Sequence, residues 1–443
     1  MSSETLTYKR INESVIGMLD PPKLPYYGLI ATFVTMVLIG ASCWAYQIYM
    51  GMGVASINNP VGWGVYITDF VFWVGIAHSG TLISAILFLF RARWRTSIYR
   101  SAEAMTVFAV LTAGLFPLIH LGRVWFAYWL FPYPNQRFLW PNFKSPLIWD
   151  VLAISTYLAV SALFFFLGLL PDIAAVRDSA KGVRKKIYGI LSLGWQGSHR
   201  LWHHYGSAYL FFAGLATPLV ISVHSVVSWD FAMSIVPGWH STIFAPYFVA
   251  GAIHSGLAMV IMLLIPIRKV FKTEHLITML DLETMAKMII LTGSIVGYSY
   301  GVEFFIAWYS GNEYEYEIFR WRATGHYAPE YWTMVICNAI IPLLFFFKKI
   351  RTNLITLLII SICVNIGMWF ERYVIIVTSL AHEYIPYAWG NYSPSLIEWG
   401  ITLGSFGWFF MFFFSFIKLL PSVSIMEMKE LIPPPMRNRG NNQ

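Results

Sequence analysis

The sequence predicts an all-α polytopic membrane protein with ten transmembrane helices, built as two repeated four-helix bundles (helices 2–5 and 6–9) plus two peripheral helices. Three observations predict it. Ten apolar runs punctuate the chain, each near the roughly 20 residues that a helix needs to cross a bilayer. Basic residues collect on alternate connections. The second and sixth runs resemble each other residue by residue. Hydrophobic residues make up 57% of the chain and charged residues 12%, against about 25% charged in soluble domains.

In chain order, residues 1–25 form a polar N-terminal segment, and the first run, 26–50, is a peripheral helix. Runs 64–90, 104–131, 146–170 and 205–228 make up the first bundle, spanning 64–228. Runs 240–267, 285–309, 331–347 and 354–380 make up the second, spanning 240–380. A second peripheral helix follows at 396–417, and a polar tail at 418–443.

Charge sets the orientation. Of the 30 Lys and Arg residues, 24 lie on one set of connections: Lys9, Arg10, Lys23, then 91–100, 177–200, 268–287, 348–351 and the tail. The other set holds four, Arg137, Lys144, Arg320 and Arg322, and Arg123 and Arg372 lie inside spans. The positive-inside rule then places both termini in the cytoplasm. The net charge of +8 thus reflects topology and does not point to nucleic acid. The N-terminus, MSSETLTYKR, is polar, so no cleavable signal peptide is expected. Cys43, Cys337 and Cys363 all fall in spans and read as packing residues. No CxxC, CxxCH or ferredoxin-like cysteine run is present, so the chain is not expected to hold an iron–sulfur cluster or a covalent haem by itself. No Walker-type loop points to ATP-driven work.

The repeat has an offset of 176. Gly62-Trp63, Ile67, Phe72, Gly75 and His78-Ser79-Gly80 match Gly238-Trp239, Ile243, Phe248, Gly251 and His254-Ser255-Gly256, eight identities in 19 positions. The third and seventh runs continue at offset 180 through Glu103/Glu283, Met105/Met285, Leu111/Leu291 and Thr112/Thr292. Four spans separate the copies, so both run in the same direction. Polar positions diverge: Asp69 faces Ala245, His120 faces Tyr300 and Arg123 faces Glu303. A small-molecule site is therefore expected in one bundle, and the first is the better candidate.

A charge near the bilayer centre costs on the order of 3 kcal/mol or more, so ionisable groups in spans need a partner, a water cavity or a task. At ~1.5 Å of rise per residue, Asp69, His120, Arg123, Asp150, His224, Asp230, His240, Glu303, Glu371 and Arg372 lie in the outer third. His78 and His254 lie near mid-depth. His120 and Arg123, three residues apart, are expected on one face of the third helix. Asp150 starts the fourth, and the connection 132–145 permits the two helices to be antiparallel neighbours. A His120–Asp150 pair there suits proton acceptance from a hydroquinone. Arg123 would tune Asp150, Trp125, Tyr128, Trp129 and Tyr133 would wall the ring and tail, and Asp69, Trp63 and His224 are further binding or tuning candidates. The plainer reading stands beside this: Asp150 favours the helix dipole, and Arg123 with Asp150 is an ion pair tying helices together.

His78 and His254 precede Ser-Gly, a small-residue patch that permits close helix packing. Architecture and a proton path are the two readings, and Glu103, Glu283 and Glu303 belong with them as possible proton-path residues. Glu103 and Glu283 are also expected to cap their helix dipoles. Haem ligation by His78 with His254, or His120 with His224, is disfavoured because no helix carries two histidines ~13–14 residues apart, as stacked haems would favour. No metal site is expected. The stretch 310–330 reads as an outer loop, either a docking surface or an aromatic belt.

Several segments together carry a resemblance: Asn59-Pro60-Val61-Gly62-Trp63-Gly64, Gly80 to Phe88, Ala102-Glu103-Ala104-Met105, Pro117 to Trp125, Ser145 to Val151, Val236 to His240, Glu303 to Tyr309, and Asn365 to Arg372. The chain resembles the integral membrane subunits of the polysulfide reductase and nitrite reductase D family, and within it the C subunits of bacterial alternative complex III. The resemblance implies a multi-pass subunit of the bacterial inner membrane that binds menaquinol and holds no haem or cluster. It implies that His120 and Asp150 contact the quinol headgroup near the periplasm. Electrons would pass to an iron–sulfur subunit, then to c-type cytochrome subunits and a soluble cytochrome c or attached terminal oxidase. A paralogous membrane subunit is implied too, and proton translocation is left open. The competing readings are a quinone-reactive anchor of a molybdenum oxidoreductase such as polysulfide reductase, a secondary transporter, and an assembly scaffold.

Overall fold

The computed structural model describes residues 7–131 and 143–432, and secondary structure among these residues is helical throughout. Residues 1–6, 132–142 and 433–443, which include Tyr133 and Arg137, lie outside the described residues. Ten helices among the described residues are long and apolar enough to cross a membrane. An amphipathic helix α1 (Tyr8–Gly17) leads into α2 (Leu24–Met50). The crossing helices continue as α3 (Val65–Leu89), α4 (Tyr99–His120) and α5 (Pro146–Ser179). A short α6 (Gly182–Leu191) precedes α7 (His199–Ala232), α8 (Phe244–Val270) and α9 (Met279–Tyr309). Then come α10 (Glu313–Thr324), α11 (Ala328–Phe346), α12 (Leu354–Ala381), α13 (Leu396–Leu419) and a last turn, α14 (Ile425–Glu430).

Local chemistry fixes the starts. Pro25 and Pro146 occupy first-turn positions, where the missing N–H costs nothing. Capping boxes Thr278/Asp281 and Ser395/Glu398 start α9 and α13. The cap of α9 is thus Asp281, and Glu283 is bonded elsewhere. Glu103 does not cap either, because α4 begins at Tyr99 with no acidic residue in its first turn.

Helices α3, α4, α5 and α7 pack against one another in sequence, and α8 packs on α9 and α12, with α11 on α12. The two groups meet along α3–α8, α7–α8 and α3–α12. Small residues set this crossing. A Cβ on Gly256 would overlap the Ser79 side chain, and one on Gly75 would lie 3.9 Å from Ala252 Cα. The two His-Ser-Gly copies therefore pack onto each other, as their small residues imply. The peripheral helices α2 and α13 form a pair through Gly40 and Gly404, where an added Cβ would sit 2.6 Å from the facing Cα. The first and last described segments lie on one face: α1 packs on α14, and the Lys418 ammonium donates to the Met18 carbonyl at 2.9 Å.

The structure corrects three expectations about extent. The third run, 104–131, is not one helix: α4 ends at His120, and Gly122 takes φ +71° to turn the chain before a 3₁₀ run, Val124–Leu130. An L side chain rarely adopts that φ, and glycine does so freely. Helix α5 continues past its apolar run to Ser179. The stretch 310–330 contains helix α10, capped by the Asn312 side chain, with Ile318, Phe319 and Arg322 buried beneath it.

Candidate functional site

The end of α4, the start of α5 and the end of α7 lie at the face opposite α1 and α14. His120 closes α4, half-buried, with no partner for Nδ1 among the described residues. Because Gly122 breaks the helix, Arg123 does not share a helix face with His120. It is exposed and forms no ion pair with Asp150 among the described residues. Tyr128, Trp125 and Trp129 are exposed on the 3₁₀ run, and Phe126 stacks on Trp129 at 4.4 Å.

Asp150 is 5% exposed. It is the fifth residue of α5, with no acidic group in that helix's first turn, so the dipole reading of Asp150 is corrected. Its partner is not His120. Asp150 and Asp230, near the end of α7, are electrostatic neighbours, and the Oδ1 atoms of both have no hydrogen-bond partner among the described residues. Two carboxylates are both acceptors, so a hydrogen bond between the two would need one of them protonated. In the sequence, Asp230 stands out only as one of ten ionisable groups in the outer third.

The other expected site residues distribute as follows. Asp69 is fully buried between the bundles and α13, accepting from Trp369 Nε1 at 2.7 Å and from Thr402 Oγ1 at 2.6 Å. It is a saturated tie among α3, α12 and α13. Trp63 packs against its own repeat mate, Trp239, with ring centroids 5.8 Å apart, and edge-on to Phe231. His224 lies against His78, ring centroids 4.4 Å apart at 57°, while His78 Nδ1 donates to the Val74 carbonyl at 2.5 Å. Two imidazoles this close cannot flank one porphyrin. His254 Nδ1 is 2.9 Å from Thr292 Oγ1. His78 Nε2, His254 Nε2 and both ring nitrogens of His224 lack partners among the described residues.

Toward the face carrying α1 and α14, Glu103 belongs to a buried ion cluster. Arg100 donates to Glu103 at 3.0 Å, to Asp172 at 3.2 Å and to the Gly168 carbonyl at 2.6 Å. Helix α14 closes this end: backbone N–H groups of Ile425 and Met426 donate to Asp172, and Glu427 pairs with Arg95 at 2.7 Å. Glu283 pairs with Arg351 at 2.9 Å and Lys287 at 3.1 Å.

The second bundle also carries polar groups at the face opposite α1 and α14. Tyr300 hydrogen-bonds Glu371, which pairs with Arg372 at 2.6 Å. Arg322, expected on an outer loop, is 2% exposed and donates to Thr378 and Ser379. Glu315 Oε2 accepts the Gly238 N–H at 3.0 Å, and burial pushes its carboxyl above the ordinary value. An open groove of about 950 Å³ runs between the bundles here, lined by Trp149, Trp229, His240, Ile243, Val302 and Glu303.

The profile of the family described as polysulphide reductase, NrfD, matches residues 53–382. The chain belongs to the NrfD family. The match runs from before α3 to the end of α12, so the two crossing helices it omits, α2 and α13, are the two that the structure pairs. Two relatives accompany it. One, named as a dimethyl sulfoxide reductase membrane protein of Halobacterium salinarum, is 28% identical over 239 residues, covering 53% of this chain and 50% of its own. The chain thus spans about half the length of that relative. The other, named as a component of the selenate reductase of Mesobacillus selenatarsenatis, is 21% identical over 407 residues, 87% of this chain and 92% of its own. The NrfD resemblance holds. Neither relative carries the finer likeness to alternative complex III: both are named as parts of reductases, which agrees better with the competing reading of an oxidoreductase anchor.

Proposed function

We propose that this chain is the quinone-reactive membrane anchor of a multi-subunit oxidoreductase of the molybdenum type. It binds a quinol, menaquinol among the candidates, near the periplasmic face and oxidises it. Two electrons pass to an iron–sulfur partner protein, and two protons leave through His120 and the Asp150–Asp230 pair. The observation that carries this reading is the pair of neighbouring acids, Asp150 and Asp230, at the same end of the first bundle where His120 closes α4 with its Nδ1 unpartnered among the described residues. Hydroquinone oxidation needs nearby acceptors for its protons, and the basic residues on the opposite face support placing this end outward. The names of the two relatives support a reductase partner. Family membership weighs against a secondary transporter.

The quinol:cytochrome c reading, with c-type cytochromes, a paralogous membrane protein and an attached oxidase, makes a different prediction about partners. The test is purification of the intact complex in mild detergent. Bound molybdenum and an iron–sulfur protein support the anchor reading, and c-type haem proteins without molybdenum overturn it in favour of the other. On the same preparation, His120→Ala and Asp150→Asn are expected to abolish quinol-driven reduction of the partner with assembly retained. Wild-type turnover in both variants rejects the site.

A further inference from the structure

We infer that the groove between the bundles is a second binding site for an isoprenoid hydroquinone, apart from His120 and the Asp150–Asp230 pair. The ligand class rests on the quinone-reactive reading above. The location rests on the groove itself.

Two hollows of about 950 and 310 Å³ adjoin through His240, Ser241, Glu303 and Ile306. The larger lies near the top of the range of ligand pockets, roughly 300–1,000 Å³, and holds an aromatic head with the first part of a tail. Its first-bundle wall is Trp149 and Trp229, edge to face with centroids 6.0 Å apart. Each tryptophan immediately precedes one aspartate of the buried pair. Consecutive helical residues point about 100° apart, so the indoles face the groove while the carboxyls lie behind them. The opposite wall is Ile243, Ala245, Val302 and Ile306.

His240, Ser241, Thr242 and Glu303 bring polar groups to this largely apolar space, the two hydroxyls able to donate or accept. His240 Nδ1 lies 3.1 Å from the Ser234 carbonyl. A carbonyl only accepts, so Nδ1 carries the hydrogen and Nε2 of the neutral ring accepts. Glu303 Oε1 is buried with no partner among the described residues. Arg322, the cation nearest in influence, is committed to Thr378 and Ser379. His240 Nε2 and the unpartnered Glu303 Oε1 suit the two hydroxyl donors of a hydroquinone ring, and the Ser241 and Thr242 hydroxyls can complement its oxygen atoms. An anionic phosphate headgroup is mismatched to a carboxylate, and an ammonium headgroup is the competing donor.

The experiment is photolabelling of the full chain in its native complex, in phosphatidylcholine nanodiscs. The probe is an azido-naphthohydroquinone with a short isoprenoid tail, and sites are mapped by mass spectrometry. Label is expected in 240–245 and 299–309. Glu303→Gln and His240→Ala should each lower it about fivefold, the loss of one hydrogen bond, while Asp150→Asn leaves it unchanged. Ile306→Trp, which fills the groove from its apolar wall, should remove it and covers the case in which Glu303→Gln does not fold. Label at 115–130 with none at 240–245 or 299–309 overturns this inference and leaves the quinone-reactive reading standing, whereas label in none of these regions overturns both. Label that phosphatidylethanolamine displaces and that Glu303→Gln does not change makes the groove a lipid crevice and also overturns the inference.

Discussion

Replacing Asp150 by Asn keeps the shape of the carboxyl pair and removes its exchangeable proton. Asp150 and Asp230 are neighbouring acids, and in the proposed function they share one hydrogen between two acceptor groups. A carboxamide at position 150 supplies that hydrogen permanently through its N–H. Packing is then retained, and stability should change by about 1 kcal/mol or less, the range of single polar contacts inside membranes. What disappears is a group able to take a proton from hydroquinone and pass it on. General acid–base groups contribute about 10²–10⁴-fold to rate, equal to about 3–5 kcal/mol of barrier. The assay is steady-state oxidation of a short-tailed quinol by the intact complex, with thermal unfolding in the same detergent as the control. Asp230→Asn should fall by a similar factor. The double variant should fall no further than the worse single, because residues acting as one unit are not additive. Independent, multiplicative losses would refute the shared-proton reasoning, as would wild-type turnover in either single variant.

Arg100→Ala strands Glu103 and Asp172 in a buried site and should destabilise the chain by about 3–5 kcal/mol, read as a fall in the unfolding midpoint in micelles, with Arg100→Lys recovering part of it. Asp69→Ala leaves the Trp369 and Thr402 donors unpaired and should cost about 1–2 kcal/mol of stability with an unchanged KM for quinol. A large rise in KM would return Asp69 to the quinol site. Gly256→Val pushes a side chain into Ser79 at the α3–α8 crossing and should lower the yield of folded protein, which Ser79→Gly partly restores. For Glu315, whose carboxyl is raised by burial, the folded chain holds a proton that the unfolded chain has lost. Stability therefore falls as pH climbs from the ordinary carboxylate range toward the raised value. Glu315→Gln should flatten that slope in unfolding measured against pH.

Where the apolar runs lie is a local property of the chain. So is the side on which Lys and Arg collect, and both are legible without any contact being known. The His-Ser-Gly repeats are legible for the same reason: small residues at matched positions mark a close crossing, and the structure packs Gly256 on Ser79 and Gly75 beside Ala252. The capping of α9 is also written locally, in Thr278 and Asp281 rather than in Glu283.

The partnerships are decided only by tertiary structure. Asp150 and Asp230 are 80 positions apart, and nothing in either helix's period states that they meet. Asp69 resembles a site carboxylate in sequence, and only the arrival of Trp369 and Thr402 from α12 and α13 turns it into a structural tie. Gly122 is one of many glycines, and its left-handed turn, which separates Arg123 from His120, follows from how the chain must close over the end of α4. The physical reason is common to all three. Transfer into the membrane acts on each segment alone, so composition reports it, whereas hydrogen-bond pairing depends on the relative rotation and depth of packed helices, which their combined contacts determine.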